Sequence, residues 1–410
     1  MKDMKYLEEK PIAVLGASAV GKTCAADIKL AGKEVRLYAM EPYSEKSIAH
    51  LDRTGIKLEG VQRNLYGFER SGKVFLDLVT TNMEEAVKGV GLIVIAIPAH
   101  GHKAFFEKLI PLLEDGQVIH IFTDNFGTLL LRKMMREQGC KKDVIIGGWS
   151  SAPYGTRIDV IGGFNLPCVN VKYRAITLRG AAMPMSHNDE FMESTKYLPC
   201  LDSITNGDGF QIGNTVLDIG FANINPVIHV PATILGVSTM ENWGKIFGDR
   251  EPNSYSMYSH GLCKSICEVQ YQFYQEEKML ADAIGVSVPE YSYESFFSRR
   301  SILAQEYMGL DKNGKDNMRL SLDEVSSEGN VGPESINHRY LTEDVPVSCK
   351  IYHELGVKFG VQTPIIDTMI VLAGAMHKKD FYKESIYGLS YLGIKDMDKK
   401  ELLEYLNYGK

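Results

Sequence analysis

The chain has 410 residues, a formal net charge of −7, 44% apolar residues and 24% charged residues, the balance of an ordinary globular protein of about two domains. Its lysines and arginines are scattered, which excludes a basic stripe for nucleic acid and a polybasic patch for a membrane surface. No apolar run approaches the ~20 residues that span a bilayer, and the seven cysteines have no framework spacing, so they read as reduced thiols in a cytoplasmic protein.

The N-terminus imitates a secretion signal, with Lys2 and Lys5, an apolar run and Ala17-Ser18-Ala19. Glu8 and Glu9 interrupt the charged region and the run is short, so we read no signal there. The stretch Ile12–Thr23 instead fits two nucleotide sites. Gly16 to Thr23 is G-x-x-x-x-G-K-T, a phosphate loop with Lys22 on the phosphates and Thr23 on magnesium. Gly16, Ser18 and Gly21 are also a G-x-G-x-x-G dinucleotide fingerprint with serine for its middle glycine. In that reading Gly16, Ala17, Ser18, Ala19, Val20 and Gly21 cradle the pyrophosphate at a helix N-terminus.

The following elements favour the dinucleotide. A helix over Lys22–Ala31 ends at Gly32, a C-cap glycine. A strand over Glu34–Met40 follows, and Glu41 stands at its end, 20 residues past Gly21. An acid at that interval holds the ribose hydroxyls and repels a 2′-phosphate, so NAD is the expected cofactor, with NADP as the alternative. Gly91–Ile97 and Gln117–Phe122 read as buried parallel strands, the first ending in Pro98-Ala99 beside the cofactor. Asp124 is the one fair candidate for the magnesium acid of a phosphate loop. His100 and His102 are too few for a metal site, and we assign no metal.

Strand and helix alternate from about 10 to 183, predicting α/β architecture: a doubly wound parallel sheet of the Rossmann type. Val144–Gly148 is a further short strand, and Asp159–Asn165 and Val169–Leu178 read as a strand-and-turn extension. From about 205 the pattern is helical, so we expect a dinucleotide-binding domain over 1–204 and an all-helical C-terminal substrate domain over 205–410. Glu268–Ile284, Ser292–Tyr307 and Pro364–His377 are its clearest helices, and 309–332 reads as a long polar loop. Within this half, Asn223, Asn225 and His229 interrupt an apolar stretch. Pro226 and Pro231 should break or kink a helix there and present His229 from a bend. A second polar cluster holds Arg339, Glu343 and Asp344.

Taken together these segments resemble the opine dehydrogenases of the octopine/nopaline type. The resemblance rests on the nucleotide turn, Ile97-Pro98-Ala99-His100, Pro153-Tyr154-Gly155-Thr156-Arg157, Asn223/Asn225/Pro226/His229 and Arg339-Tyr340-Leu341-Thr342-Glu343-Asp344-Val345-Pro346. It implies NAD(P)H-dependent reductive condensation of an amino acid's amine with a 2-keto acid. It implies His229 as acid/base, Asp344 as its orienting carboxylate, and Arg339, Asn125, Asn225 and Tyr154 on the substrate. The chemistry suits these residues. Histidine titrates near neutrality, a carboxylate on its far nitrogen fixes the tautomer, and a guanidinium takes a carboxylate through two parallel hydrogen bonds.

Gly147-Gly148-Trp149-Ser150-Ser151 carries no acid where octopine-type enzymes place a glutamate for arginine, which points to a bulky or apolar amine. The expected partners are thus small molecules, with neither nucleic acid nor membrane, and a homodimer is the assembly to test. The residues alone leave open another reductase of the 6-phosphogluconate-dehydrogenase-like superfamily, a phosphate-loop NTPase, and a catalytically silent NAD-binding sensor.

Overall fold

The computed structural model describes residues 4–60, 70–246, 254–296 and 331–409. Its chain divides into two compact units. Met1–Ile219 and the C-terminal Leu403–Lys410 form the first, and the second lies within Gly220–Leu402. No helix among the described residues is long and apolar enough to cross a membrane.

The described residues of the first unit form twelve strands. In chain order they are β1 Ile12–Leu15, β2 Val35–Tyr38, β3 Ile56–Gly60, β4 Gly72–Val74, β5 Leu78–Thr80, β6 Leu92–Ile95, β7 Val118–Ile121, β8 Ile145–Trp149, β9 Tyr154–Ile161, β10 Phe164–Arg174, β11 Thr177–Ala182 and β12 Gly209–Ile212. Eight form one sheet in the order β12-β11-β8-β7-β6-β1-β2-β5. Six neighbours, from β5 to β8, run parallel. β11 then turns antiparallel to β8, and β12 pairs parallel to β11. β1, β6 and β7 are buried along their whole length, as parallel strands covered on both faces must be. Helices α1 (Ala19–Leu30), α2 (Ala99–Leu109) and α3 (Gly127–Glu137) follow β1, β6 and β7.

Two features depart from the sequence reading. The expected extension after β8 is a hairpin, β9 against β10, turning at Gly162 and Gly163, which both have positive φ. It joins β3 and β4 in a separate four-stranded sheet, order β4-β3-β10-β9. The stretch after residue 205, read as helical throughout, opens with β12. That pairing keeps it in the first unit, so the boundary expected after residue 204 falls inside that unit.

The second unit is helical among its described residues. Its main helices are α4 (Ile224–Leu235), α5 (Lys264–Ile284), α6 (Lys350–Phe359) and α7 (Pro364–His377). α7 has the bounds read from sequence, because Pro364 opens it and His377 closes its apolar stretch. The Glu276 carboxylate of α5 accepts the Ile365 and Ile366 N–H groups at 2.7 and 2.9 Å, satisfying donors left free in the first turn of α7. Of the helix expected over Ser292–Tyr307, Tyr293–Phe296 is helical; residues 297–307, and 309–330 of the expected loop, lie outside the described residues.

The expectation that the prolines around His229 break a helix is corrected. α4 runs as one helix through both. Pro226 falls in its first turn, where a missing N–H costs nothing, and Pro231 is accommodated inside. Asn223 is the N-cap, its side chain accepting the Asn225 N–H at 3.2 Å.

Candidate active site

At the carboxyl edge of the parallel sheet, two helices begin beside each other. β1 and β6 are neighbours, and the connections from them leave in opposite directions. That is the topological switch point where open α/β sheets bind ligands. Gly16 has φ +112°, and a Cβ there would lie 2.5 Å from the Ala96 carbonyl oxygen; a Cβ on Gly21 would lie 1.8 Å from the Gly16 oxygen. Only glycine fits either position, and the result is a tight turn with the helix pressed onto the sheet. Ser18 is the N-cap of α1 and is exposed; Ala19 and Val20 are half-buried. The N–H groups of this first turn therefore face outward with no helical carbonyl to take them. Pro98 is the N-cap of α2 and Ala99 its first residue. Glu41 follows β2 at the same edge. This cradle fits a dinucleotide.

It does not fit a phosphate loop. Thr23, the residue that would hold magnesium, donates to the Ala19 carbonyl at 2.8 Å and lies 2.9 Å from the Thr156 hydroxyl. Lys22 is fully buried rather than presented on the loop. Asp124 is buried as well and accepts the Thr128 N–H at 2.9 Å.

The other expected groups of this unit divide. Asn125 stands at the carboxyl edge in the loop after β7, with φ +44°, and is buried. Tyr154 does not belong with a substrate. It is buried, its hydroxyl lies against the Asp27 carboxylate and the Cys200 carbonyl, and the Arg174 guanidinium sits 5.2 Å from its ring. Asp27 also takes Arg70 at 2.7 Å and Arg174 at 3.0 Å. Tyr154 is thus part of a structural ion cluster beneath α1, and its expected contact with substrate is withdrawn.

In the helical unit the structure brings His229, Asp344 and Arg339 together. His229 Nδ1 is 2.8 Å from Asp344 Oδ2, and its Nε2 is 3.0 Å from the Tyr258 hydroxyl. An acceptor on Nδ1 fixes the proton there, so Nε2 accepts from Tyr258. The Tyr340 ring stacks on the imidazole, centroids 3.5 Å apart and 14° from parallel. His229 and Asp344 are buried, whereas Tyr258 is half-buried. Burial pushes the Asp344 carboxyl up to about 7, against the pull of Arg339. A carboxyl raised to that range and in contact with an imidazole can share a proton with it.

Arg339 Nε is 3.0 Å from the buried Glu343 carboxylate, and its side chain is 54% exposed. One edge of the guanidinium is thus braced while the rest stays open to a ligand. Asn225 lies one turn before His229 on α4 and is half-buried, so the two share a helix face.

Tyr258 escaped the sequence reading. It sits in a π-helical turn, Met257–Gly261, a local geometry with no periodic signature. Asp344 is likewise the N-cap of a π-helical turn, Val345–Cys349, closed by Cys349 N–H donating to the Asp344 carbonyl at 3.1 Å. Both partners of His229 are delivered by such turns, which concentrate at functional sites.

Comparison with known proteins matches both halves. Residues 11–136 fit the model for the NAD-dependent glycerol-3-phosphate dehydrogenase N-terminus, and residues 212–377 the model for the α-helical domain of NAD/NADP octopine/nopaline dehydrogenase. Fold and matches together define a two-domain NAD(P)-dependent dehydrogenase. An opine dehydrogenase of Arthrobacter sp. (strain 1C) is 26% identical over 401 residues, covering 95% of this chain and 99% of the relative. Octopine dehydrogenase of Pecten maximus is 20% identical over 322 residues, 74% of each chain. The solved structure of an octopine dehydrogenase with NADH and L-arginine superposes with a TM-score of 0.66 at 17% identity, covering 98% of both chains. The chain is thus similar to opine dehydrogenases over nearly its whole length and shares the octopine dehydrogenase fold.

Proposed function

We propose that this protein joins the amine of an amino acid to a 2-keto acid by reduction of their imine, and runs the reverse oxidation. The observation that carries the reading is the buried His229, held between Asp344 and the Tyr258 hydroxyl beside a braced, open guanidinium. A nicotinamide cofactor, when bound, would supply or accept the hydride; the chain's own residues do the rest. Asp344 orients the imidazole and stabilises its protonated form. Nε2, facing away from Asp344, is the atom that gives or takes the proton, in contact with Tyr258. Arg339 takes a substrate carboxylate through its open edge, with Glu343 holding its Nε. Asn225, on the His229 face of α4, offers its amide to a remaining polar group. Glu41 favours NAD(H) over NADP(H).

The test is a screen of amino acids, apolar ones first, against pyruvate and related 2-keto acids with NADH oxidation as readout. Oxidation that requires both substrates is the expected result. Oxidation with keto acid alone would replace the reading by a hydroxy-acid reductase. NADH binding without turnover on any pair would leave a sensor.

A further inference from the structure

Lys22 is among the largest fully buried side chains of the protein, and its ammonium has no hydrogen-bond partner among the described residues. A bare buried ammonium is costly unless something anionic reaches it. Its place in the fold indicates the anion. Gly21, one residue before it, faces the sheet, 3.7 Å from the Ala96 Cβ to its own would-be Cβ. Lys22 is about 100° further round the helix. Lys29, seven residues on and so on the same flank, bonds Asp77 at 2.7 Å, and Asp77 also accepts the Val35 N–H of β2. The Lys22 flank therefore faces β2. Helical side chains slope toward the helix N-terminus, which carries the Lys22 stem back toward the glycine turn and the end of β2.

We infer that Lys22 is a buried counter-charge for a phosphate of the dinucleotide, acting from behind the Gly16–Gly21 turn. The inference rests on the dinucleotide reading above. Behind the turn the ammonium is shielded from water and salt, so its field reaches a phosphate on the turn's outer side with little screening. Burial lowers the pKa of Lys22 only to about 8, so it carries its charge at neutral pH. The turn lacks the glycine that a dinucleotide fingerprint has at Ser18, and a cation behind it offsets the poorer backbone approach.

The experiment measures Kd for NADH and NADPH by nicotinamide fluorescence on wild type, K22M and K22Q. Both variants are expected to bind NADH about tenfold more weakly, or ~1.4 kcal/mol, with the loss little changed by added salt. Equal losses for NADH and NADPH identify the pyrophosphate as the anion; a loss confined to NADPH identifies the 2′-phosphate. Without cofactor, K22M is expected to melt no lower than wild type, since it removes an unpaired buried charge. Unchanged Kd for both dinucleotides in folded K22M and K22Q overturns the inference. Failure of wild type to bind either dinucleotide overturns the dinucleotide reading instead.

Discussion

The protein buries two histidines in opposite ways. His120, on β7, receives the Trp149 indole N–H on Nδ1 at 3.2 Å, so its Nε2–H donates to Ser194 Oγ at 3.0 Å, which passes its own proton to the Phe191 carbonyl at 2.6 Å. The ring stacks on Phe191 at 4.6 Å. Every polar atom is satisfied by neutral groups, and burial takes its pKa down to about 3. His229 is also buried, though less completely, in the helical unit, yet one neighbour is a carboxylate and another a half-buried hydroxyl. Burial alone makes a histidine inert. A carboxyl raised toward neutrality beside it is what the proposed proton exchange would need. The two rings also predict opposite consequences of mutation.

The largest effect is expected at the reactive ring. His229→Ala should lower kcat by a factor on the order of 10²–10⁴, the range of general acid–base catalysis, while NADH affinity hardly moves. Asp344→Asn should lose activity too, and the double variant should lose far less than the product of the single losses, because the pair acts as one unit. Near-normal kcat in folded His229→Ala would place His229 in the same class as His120.

Asp344 adds a stability signature. Its folded pKa is raised, so the acid favours the fold most fully below the unfolded value of about 3.9, and that contribution is lost as pH rises through about 7. Asp344→Asn should therefore melt above wild type at pH 8, with the gap narrowing steadily as pH falls toward 4. A lower melting point at pH 8 would mean that the contact with His229 outweighs the burial of the charge.

His120→Phe should do the reverse of His229→Ala. It strands the Trp149 and Ser194 donors, costing about 1–3 kcal/mol, while kcat per folded molecule stays at the wild-type value. Arg339→Lys should raise the KM for the keto acid by roughly tenfold, since an ammonium cannot form the bidentate fork, with a smaller change in kcat. The smallest effect is expected for Tyr258→Phe. It removes one neutral hydrogen bond worth about 1 kcal/mol, so kcat should fall only a few-fold and the pH–rate profile should shift.

Much of this was legible in the sequence where the signal is local. The glycine turn, the buried apolar strands and the Pro364-initiated helix announce themselves within a few residues. His229, Arg339 and Asp344 were legible through a resemblance, since nothing in their own spacing says that residues 115 positions apart meet. β3 and β4 were missed because they are short, pair with each other and are tied into a sheet only where β3 meets the distant β10. Tyr154 was misplaced because motif position said nothing of Asp27 and Arg174, which claim its hydroxyl and its ring. Tyr258 was invisible because its turn follows no standard period.

Those two π turns carry a consequence for how such a site changes over generations. A π turn is a helix with one residue more than its α-helical turn needs. Removing a single residue from Val345–Cys349 would let the helix relax to the α form and swing everything before it by about 100°, carrying Asp344 off the imidazole without altering any catalytic side chain. The geometry of the His229–Asp344 contact is thus encoded partly in chain length. One codon lost from either turn would silence the chemistry while every recognisable residue survived, and a copy of the gene damaged in that way would still look intact when its letters are compared one by one.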